Sequence, residues 1–353
     1  MSEFEIDGRK IGPREPPFVI AELSANHNND IDQAMAIIDA AATAGADAIK
    51  LQTYTADSLT IDCDREDFLI DSGLWEGQKL YELYKQASTP WDWHEALFQR
   101  AQAVGLVVFS SAFDPKAVDF LIELGIPAFK VASFELVDIP LIRHIAKTGR
   151  PMIMSTGMAN PEEISEAVDA ARESGCTQLA LLHCISAYPT PIAEANLVTI
   201  KDLGDRFGVE VGLSDHTLGV TASIAAVSLG ATIVEKHVTL KRDNGGPDAA
   251  FSLEPDELAT LVSACRDAHS ALGVLNYKRS DGELKSLRFR RSIYAVEDVP
   301  TGHQFDDSNV RSIRPGFGMH PRYLEVVKGR QATRDIKRGE PLDWSMVEDG
   351  EPN

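Results

Sequence analysis

The chain has 353 residues, of which 44% are hydrophobic and 25% charged, as in ordinary globular proteins. Its formal net charge of -20 argues against a nucleic acid partner, since phosphate groups would be repelled. No apolar run of about 18 residues occurs, so we expect no membrane-spanning helix. Residues 1–15 lack the pattern of a signal peptide, and four scattered cysteines favour a reducing cytoplasm over a disulfide framework.

Short apolar runs alternate with amphipathic helical patterns after an extended lead-in over residues 1–17. Buried strands are predicted at residues 18–23, 46–53, 106–111, 128–133, 151–155, 178–184, 209–213 and 231–235. The first predicted helix is capped near residues 28–30, and two others begin after Asp114 and Asn160. Further helices are predicted over residues 93–103, 139–148, 221–229 and 257–272. This repetition predicts a TIM (β/α)₈ barrel or a doubly wound sheet, and the number of repeats favours the barrel. No GxGxxG motif follows the first strand, so dinucleotide binding has no support.

A long insertion interrupts this pattern, and a second domain follows it. The insertion, residues 54–91, carries Trp75, Tyr81, Tyr84 and Trp91. Such a loop is either a functional lid or a helical excursion packed by its own aromatic residues. We predict a barrel domain over residues 1–272, a polar linker over 273–287 and a small β-rich domain over 288–353. Strands are expected there at 291–296, 309–314 and 331–336.

Two lysines stand where the active site of such a barrel is expected, at the carboxyl ends of the strands. Lys50 and Lys130 are costly to bury without an anion, so they indicate a phosphate or carboxylate ligand. The alternative is a salt bridge within the barrel, to Glu22 or Glu235. For Lys236 the salt bridge is the favoured interpretation. Neighbouring serines would supply hydroxyl donors to the same anion.

Two histidines are predicted to lie side by side at these carboxyl ends, which form the mouth of the predicted barrel. His216 and His237 each follow a buried strand, and they are one βα repeat apart. Paired neutral imidazoles are suited to a divalent metal ion with positions left open for substrate and water. Alternatively, each histidine is only hydrogen-bonded in a loop. Glu22 and Glu135 lie near this site, where one could act as general base for water or each could merely neutralise a lysine.

The same residues carry a resemblance to a known family. In chain order the motifs are AELSANHN, ADAIKLQTYT, FSSAFD, FKVASFE, MSTGMA, CISAYPTP, GLSDHT, VEKHVTL, GGPDAAFSLEP, RRSIYA and SIRPGFG. Together they resemble the sialic acid synthases, which condense phosphoenolpyruvate with an N-acylated amino sugar. The GGPDAAFSL, TPWDWH and LYELYK segments are most similar to the pseudaminic acid synthase branch. The resemblance implies a TIM barrel followed by an SAF (antifreeze-like) domain, in a domain-swapped homodimer.

The resemblance also implies a role for each polar residue of the mouth. The carboxylate of phosphoenolpyruvate would be held by Lys50 and Ser111. The phosphate would be held by Lys130, Ser133, Ser155, Ser186 and Ser214. The metal ion, Mn²⁺ before Mg²⁺ or Co²⁺, would be bound by His216 and His237, and the acid–base candidates would be Glu22 and Glu135. Asp248 would contact the sugar, and the Arg314 of a partner chain would reach in to it. Tyr188 and Phe251 are further candidates for substrate binding, Phe251 as part of an apolar pocket for the sugar. N-acetylneuraminate synthases carry Asn where Ser186 stands, which weakens the phosphate role of Ser186 and favours another sugar.

The reaction so implied is the metal-dependent condensation of phosphoenolpyruvate, 2,4-diacetamido-2,4,6-trideoxy-L-altrose and water into pseudaminic acid and phosphate. An N-acetylneuraminate or legionaminate synthase would use the same chemistry on another sugar. A different class of protein, a non-catalytic carbohydrate- or partner-binding protein that uses its C-terminal domain, is opposed by the Lys, Ser and His residues gathered at the mouth.

Overall fold

The computed structural model describes residues 4–352, and the chain divides into two compact units, Met1–Gly273 and Val274–Asn353. The first unit begins with an antiparallel hairpin of strands β1 (Phe4–Ile6) and β2 (Arg9–Ile11), where the sequence predicted only an extended lead-in. Asp7 and Gly8 form its turn with φ of 48° and 77°, the left-handed conformation that Asp-Gly hairpins favour. Residues 1–3 of the predicted lead-in lie outside the described residues.

Within residues 4–352, eight parallel strands close into a barrel, which confirms the (β/α)₈ prediction and excludes the doubly wound sheet. These strands are β3 (Phe18–Glu22), β4 (Ala48–Thr53), β5 (Val107–Ala112), β6 (Phe129–Val131), β7 (Met152–Ser155), β8 (Leu179–Cys184), β9 (Glu210–Asp215) and β10 (Ile233–His237). Strand β10 pairs with β3, so that His237 stands opposite Glu22 and the cylinder is closed. All five residues of β3 are buried, as expected for a strand covered on both faces.

Helices surround the barrel and follow the strands. In the first unit they are α1 (Ile31–Thr43), α2 (Ala56–Leu59), α3 (Leu80–Ala87), α4 (His94–Ala103), α5 (Pro115–Glu123), α6 (Ile139–Ala146), α7 (Pro161–Glu173), α8 (Thr199–Phe207), α9 (Thr221–Ser228) and α10 (Pro255–Leu272). The predicted caps are confirmed, since Asp30, Asp114 and Asn160 each accept a backbone N–H of the first turn. Helix α8 was not predicted.

The second unit is small and contains its own apolar core. Strands β11 (Ser292–Ala295) and β12 (Val310–Ile313) pair antiparallel, close to two of the predicted strands. Its helices are α11 (Asp281–Ser286) and α12 (Leu324–Val327), and α11 lies within the segment predicted as a linker. The strand predicted at 331–336 is wrong: those residues form only isolated bridges, such as Val299 with Ile336. No helix within the described range has the length and apolar character needed to cross a membrane.

Candidate active site at the barrel mouth

The register of the barrel brings the predicted residues to one end. Parallel pairing sets Glu22 beside Lys50, Ser111 beside Lys130, and Ser214 beside Glu235. Successive side chains of a strand point to opposite faces of the sheet, so every second residue of each strand points into the barrel. Charged and hydroxyl side chains from neighbouring strands therefore meet at the carboxyl end of the barrel.

Lys50 is the first centre of this arrangement. Its ammonium group forms an ion pair with Glu22, donates to Ser111 Oγ at 3.1 Å and lies 3.7 Å from Glu235 Oε1. The residue is only 3% exposed. Burial lowers the pKa of Lys50, but Glu22 and Glu235 outweigh it, so this pKa lies above its ordinary value. Lys50 therefore carries a stable positive charge inside the barrel.

Lys130 is the second centre and shares a carboxylate with the first. Its Nζ donates to Ser155 Oγ at 2.7 Å and lies 3.7 Å from Glu235 Oε1. Glu235 also accepts a hydrogen bond of 3.1 Å from Ser214 Oγ. Burial lowers the pKa of Lys130, whereas Lys130 and Lys50 together hold the pKa of Glu235 below its usual value despite burial. The salt bridges given as the alternative are thus present, and they place both ammonium groups around one carboxylate.

The seven side chains that form this arrangement are called the mouth cluster from here on. They are Glu22, Lys50, Ser111, Lys130, Ser155, Ser214 and Glu235. Glu235 joins the two lysines, and the sequence pointed to it only as a possible salt-bridge partner. Gln52, a polar residue at the end of β4 for which the sequence indicated no role, also belongs here: its amide donates to Glu22 Oε1 at 3.2 Å and to Ser24 Oγ at 2.9 Å.

Lys236 faces away from the mouth cluster, as the favoured salt-bridge interpretation required. Its Nζ lies 2.9 Å from Asp215 Oδ2 on the neighbouring strand and also donates to the Thr217 carbonyl. Asp215 accepts from Ser223 Oγ at 2.7 Å. The pair is fully satisfied outside the barrel interior, so Lys236 supports the strand ends and not an anion site.

Two further predicted serines converge on Gly157, in the loop after β7. The Gly157 amide donates to Ser133 Oγ at 3.1 Å. A Cβ atom at residue 157 would lie 2.3 Å from Ser186 Oγ and 2.7 Å from Ser133 Oγ, so only glycine fits between the two hydroxyls. Ser133 and Ser186 are therefore brought together at the loop that follows β7.

The two histidines lie next to each other at the same end. Their ring centroids are 5.3 Å apart. His216 Nδ1 lies 3.0 Å from the Ile185 carbonyl, which fixes Nδ1 as the protonated nitrogen and leaves Nε2 as a lone-pair donor. His237 Nδ1 is buried without a hydrogen-bond partner within residues 4–352, and burial and His216 hold the pKa of His237 well below its usual value.

This donor set fits a divalent metal ion. A metal-bound imidazole must be neutral, and an orphaned buried nitrogen is the feature that an ion would satisfy. Asp248 Oδ2 lies 3.7 Å from His237 Nδ1 and accepts a hydrogen bond from Ser24 Oγ. The described residues contain no group of three or more His, Cys, Asp or Glu side chains arranged to hold an ion.

Aromatic rings form a wall beside the histidines. The Tyr188 ring lies 4.5 Å from His216, and Phe251 lies 5.0 Å from His237 and 5.3 Å from Tyr188, between ring centroids. Phe251 is 2% exposed. Asp248 belongs to the same loop as Phe251, so the residues predicted to contact a sugar border the predicted metal site.

The insertion, residues 54–91, has features both of a lid and of an excursion packed by its own aromatic residues. Its own aromatic residues pack together: Tyr54 contacts Tyr84 at 6.1 Å between ring centroids, and the indole of Trp91 donates to the Tyr54 carbonyl at 3.4 Å. Trp75, in contrast, reaches the mouth and donates to the Pro247 carbonyl at 3.1 Å. The insertion is therefore packed on itself at one side and borders the loop of Asp248 at the other.

Two buried glutamates are suited to hold or accept a proton near neutral pH. Glu22 accepts from the Ser24 amide at 3.0 Å besides pairing with Lys50, and burial raises its pKa to about 7. Glu135 follows Ser133 in a short 3₁₀ turn. Burial raises the pKa of Glu135 to about 7 against the opposing effects of its own backbone N–H and Lys130. Its Oε2 is buried, with no hydrogen-bond partner in the described part of the chain.

Replacing Glu135 by glutamine should stabilise the barrel at pH 8 but not at pH 5. Folding raises the pKa of this carboxyl from 4.5 to about 7, so the folded protein loses stability as pH rises through that window. Glutamine removes the charge, so we expect a gain of roughly 1–3 kcal/mol at pH 8. Denaturant unfolding of both proteins at the two pH values measures this gain, and Glu166→Gln, at an exposed position of α7, is the control. If the free energies of unfolding of the two proteins differ by the same amount at both pH values, ionised Glu135 does not destabilise the fold.

Arg314 belongs to the second unit and directly follows β12, where its side chain is exposed. Its contact with the sugar bound to a partner chain stays a prediction.

Comparison with known proteins decides the family. Residues 37–277 match the NeuB family, and residues 290–348 match the SAF domain. The chain belongs to the NeuB family. This confirms the resemblance to sialic acid synthases, and the match to the SAF domain confirms the predicted architecture of a TIM barrel with a C-terminal SAF domain.

Members of the NeuB family with assigned activities are similar over nearly the whole chain. A pseudaminic acid synthase of Campylobacter jejuni is 46% identical over 325 residues, which cover 92% of this chain and 95% of the relative. An N,N'-diacetyllegionaminic acid synthase of Legionella pneumophila is 35% identical, with 94% of each chain covered. The crystal structure of an N-acetylneuraminic acid synthetase from Leptospira borgpetersenii, in complex with citrate, superposes with a TM-score of 0.73 at 32% identity. It covers 82% of this chain and 96% of that one.

Proposed function

We propose that this NeuB-family chain is a phosphoenolpyruvate-dependent transferase that makes pseudaminic acid. It would condense phosphoenolpyruvate with 2,4-diacetamido-2,4,6-trideoxy-L-altrose and water, releasing phosphate by cleavage of the C–O bond. The observation that carries this proposal is the common position of the mouth cluster and the histidine pair at one end of the barrel. The similarity to the Campylobacter jejuni enzyme supports the choice of sugar.

The two ammonium groups would hold phosphoenolpyruvate by its two anionic ends. The Nζ of Lys50 and the Oγ of Ser111, which lie 3.1 Å apart, form a pair of donors for the carboxylate. Lys130 and Ser155, 2.7 Å apart, form a second pair for the phosphate, together with Ser214 and the two serines beside Gly157. Positive charge and hydroxyl donors fixed before the ligand arrives bind it with little reorganisation. This arrangement also overcomes the repulsion of an anion by the net negative charge of the chain.

The remaining groups are placed for carbon–carbon bond formation. A divalent ion, Mn²⁺ before Mg²⁺ or Co²⁺, bound by His216 and His237, would supply Lewis acidity for the aldehyde oxygen of the open-chain sugar. C3 of phosphoenolpyruvate would attack the aldehyde carbon, water would add to C2, and the C–O bond to phosphate would then break. One proton of the water would end on the former aldehyde oxygen and the other would leave with the phosphate. Glu135, or Glu22 as the second candidate, takes the proton from that water, because each has a pKa of about 7.

The sugar would lie against the aromatic wall beside the histidines. Tyr188 and Phe251 offer apolar contact to a 6-deoxy, N-acylated sugar, and Asp248 offers a hydrogen-bond acceptor. The proposal keeps the domain-swapped homodimer implied by the resemblance, in which the partner's Arg314 completes the sugar site. It also keeps a cytoplasmic location, which is supported by the unpaired cysteines of the described residues.

Phosphate release with three candidate sugars tests the proposal. We expect kcat/KM for the trideoxy-altrose sugar to exceed that for N-acetylmannosamine and for the legionaminate precursor by about 10- to 200-fold, the range that one pocket discriminates between related groups. The product should be identified by NMR. A higher value with either other sugar would reassign the enzyme within the NeuB family. Calorimetry that detects no phosphoenolpyruvate binding in the presence of Mn²⁺ would instead favour a binding protein.

A further inference from the structure

Trp75 connects the insertion to the loop that carries Asp248. Its indole N–H donates to the Pro247 carbonyl at 3.1 Å, and Pro247 immediately precedes Asp248. Asp248 in turn lies 3.7 Å from His237 and accepts a hydrogen bond from Ser24. The position of this indole is therefore fixed relative to the histidine pair through the 245–251 loop.

The ring of Trp75 also extends the aromatic wall. Its centroid lies 5.8 Å from that of Tyr188, which lies 4.5 Å from His216 and 5.3 Å from Phe251. Of these three wall residues, Phe251 is buried while Tyr188 and Trp75 are both partly exposed, so part of each of these two rings is accessible. An acceptor whose aldehyde is at the histidines would run along this wall toward Trp75.

Trp91 shows that this placement is particular to Trp75. Trp91 also donates its indole N–H to a backbone carbonyl, that of Tyr54 at 3.4 Å, but its ring stacks on Phe120 of α5 with centroids 4.6 Å apart. The two residues thus have similar hydrogen-bond anchors, and only Trp75 has its ring against Tyr188 of the mouth.

We propose that Trp75 is a specificity-determining residue that stacks on the C–H-rich part of the acceptor sugar. The proposal rests on the proposed function. An indole face prefers a carbon bearing a methyl group to one bearing a hydroxymethyl group, because it offers no partner for the hydroxyl. Trp75 therefore selects for the 6-deoxy, N-acylated acceptor and does not take part in binding phosphoenolpyruvate.

Steady-state kinetics of Trp75→Ala, Trp75→Phe and Trp91→Phe test this assignment. For Trp75→Ala we expect KM for the trideoxy-altrose sugar to rise about tenfold or more, while KM for phosphoenolpyruvate changes less than about twofold. The preference over N-acetylmannosamine should fall by a similar factor. Trp75→Phe keeps an aromatic face and should retain the preference within about threefold, and Trp91→Phe should match the wild type.

The outcomes separate this inference from the function on which it rests. An unchanged sugar KM in Trp75→Ala, or equal losses for both substrates, would overturn the stacking role while leaving the synthase activity intact. A loss in Trp75→Phe as large as in Trp75→Ala would also overturn it, since the ring would then not be the determinant. If the wild type releases no phosphate with the trideoxy-altrose sugar, the proposed function fails and the inference fails with it.

Discussion

Replacing His216 or His237 by alanine should lower kcat by about 1,000-fold or more, because several kcal/mol of transition-state stabilisation would be lost with the metal ion. The two rings are 5.3 Å apart, and each has a nitrogen free to donate a lone pair. Loss of either ring would leave one protein ligand. Bound Mn²⁺, measured by mass spectrometry of dialysed protein, should fall together with turnover.

His183→Ala is a matched control for this substitution. His183 is also a buried histidine of a barrel strand, but its Nε2 lies 2.7 Å from the Ala195 carbonyl, whereas the rings of His216 and His237 lie next to each other. We expect that variant to lose stability and to keep metal content and turnover per folded molecule within a few fold. Wild-type turnover in His216→Ala or His237→Ala, or in chelator-treated enzyme, would refute the metal assignment.

Lys130→Met should weaken phosphoenolpyruvate binding by about 30- to 1,000-fold, which corresponds to roughly 2–4 kcal/mol for a buried charge removed from an anion. Lys130 is 1% exposed, and its Nζ donates to Ser155 Oγ at 2.7 Å. Without it, Glu235 retains only Lys50 as a cationic partner in the mouth cluster, and the carboxylate would itself repel the phosphate. Titration calorimetry with phosphoenolpyruvate measures the change.

Lys236→Met is the control for losing a buried lysine. Lys236 is fully buried and lies 2.9 Å from Asp215, on the opposite face of its strand from Glu235. Both methionine variants should be destabilised by about 3–5 kcal/mol, because each leaves a buried carboxylate with less charge compensation. Only Lys130→Met should lose affinity for phosphoenolpyruvate by more than about threefold. Equal affinities in Lys130→Met and wild type would remove the anion site from this mouth.

The barrel was predictable because its signals are local and repeated. Each buried strand is an apolar run, and caps such as Asp114 and Asn160 mark where the next helix begins. Once the order of strands is known, their carboxyl ends share one face, so Lys50, Lys130, His216 and His237 could be grouped before any coordinates. The family resemblance then added roles for these residues that spacing alone does not determine.

The errors arose where the local signal was weak or was overlooked. The hairpin of β1 and β2 carries an Asp7-Gly8 turn, a signal that was present but not used. Helix α8 contains Gly204, a poor helix former, within its span of nine residues. Residues 331–336 contain only two apolar side chains, Ala332 and Ile336, and their backbone forms isolated bridges to partners distant in sequence instead of a continuous strand.

The sharing of Glu235 by two lysines also could not be derived from the sequence. Strand parity shows that Glu235 and Lys236 point in opposite directions, but not which of them faces inward. That depends on the register between β9 and β10, in which Glu235 stands opposite Ser214 and Lys236 opposite Asp215. The outcome places the acid in the mouth cluster and the lysine against Asp215.

The most direct test of the central claim, that enol phosphate and metal ion meet at one end of the barrel, is a crystal structure grown with phosphoenolpyruvate and Mn²⁺. The account predicts an anomalous Mn²⁺ peak at His216 and His237, with the phosphate contacting Lys130 and the carboxylate contacting Lys50. An anomalous peak away from the two histidines, or phosphoenolpyruvate bound without contact to either lysine, would contradict it.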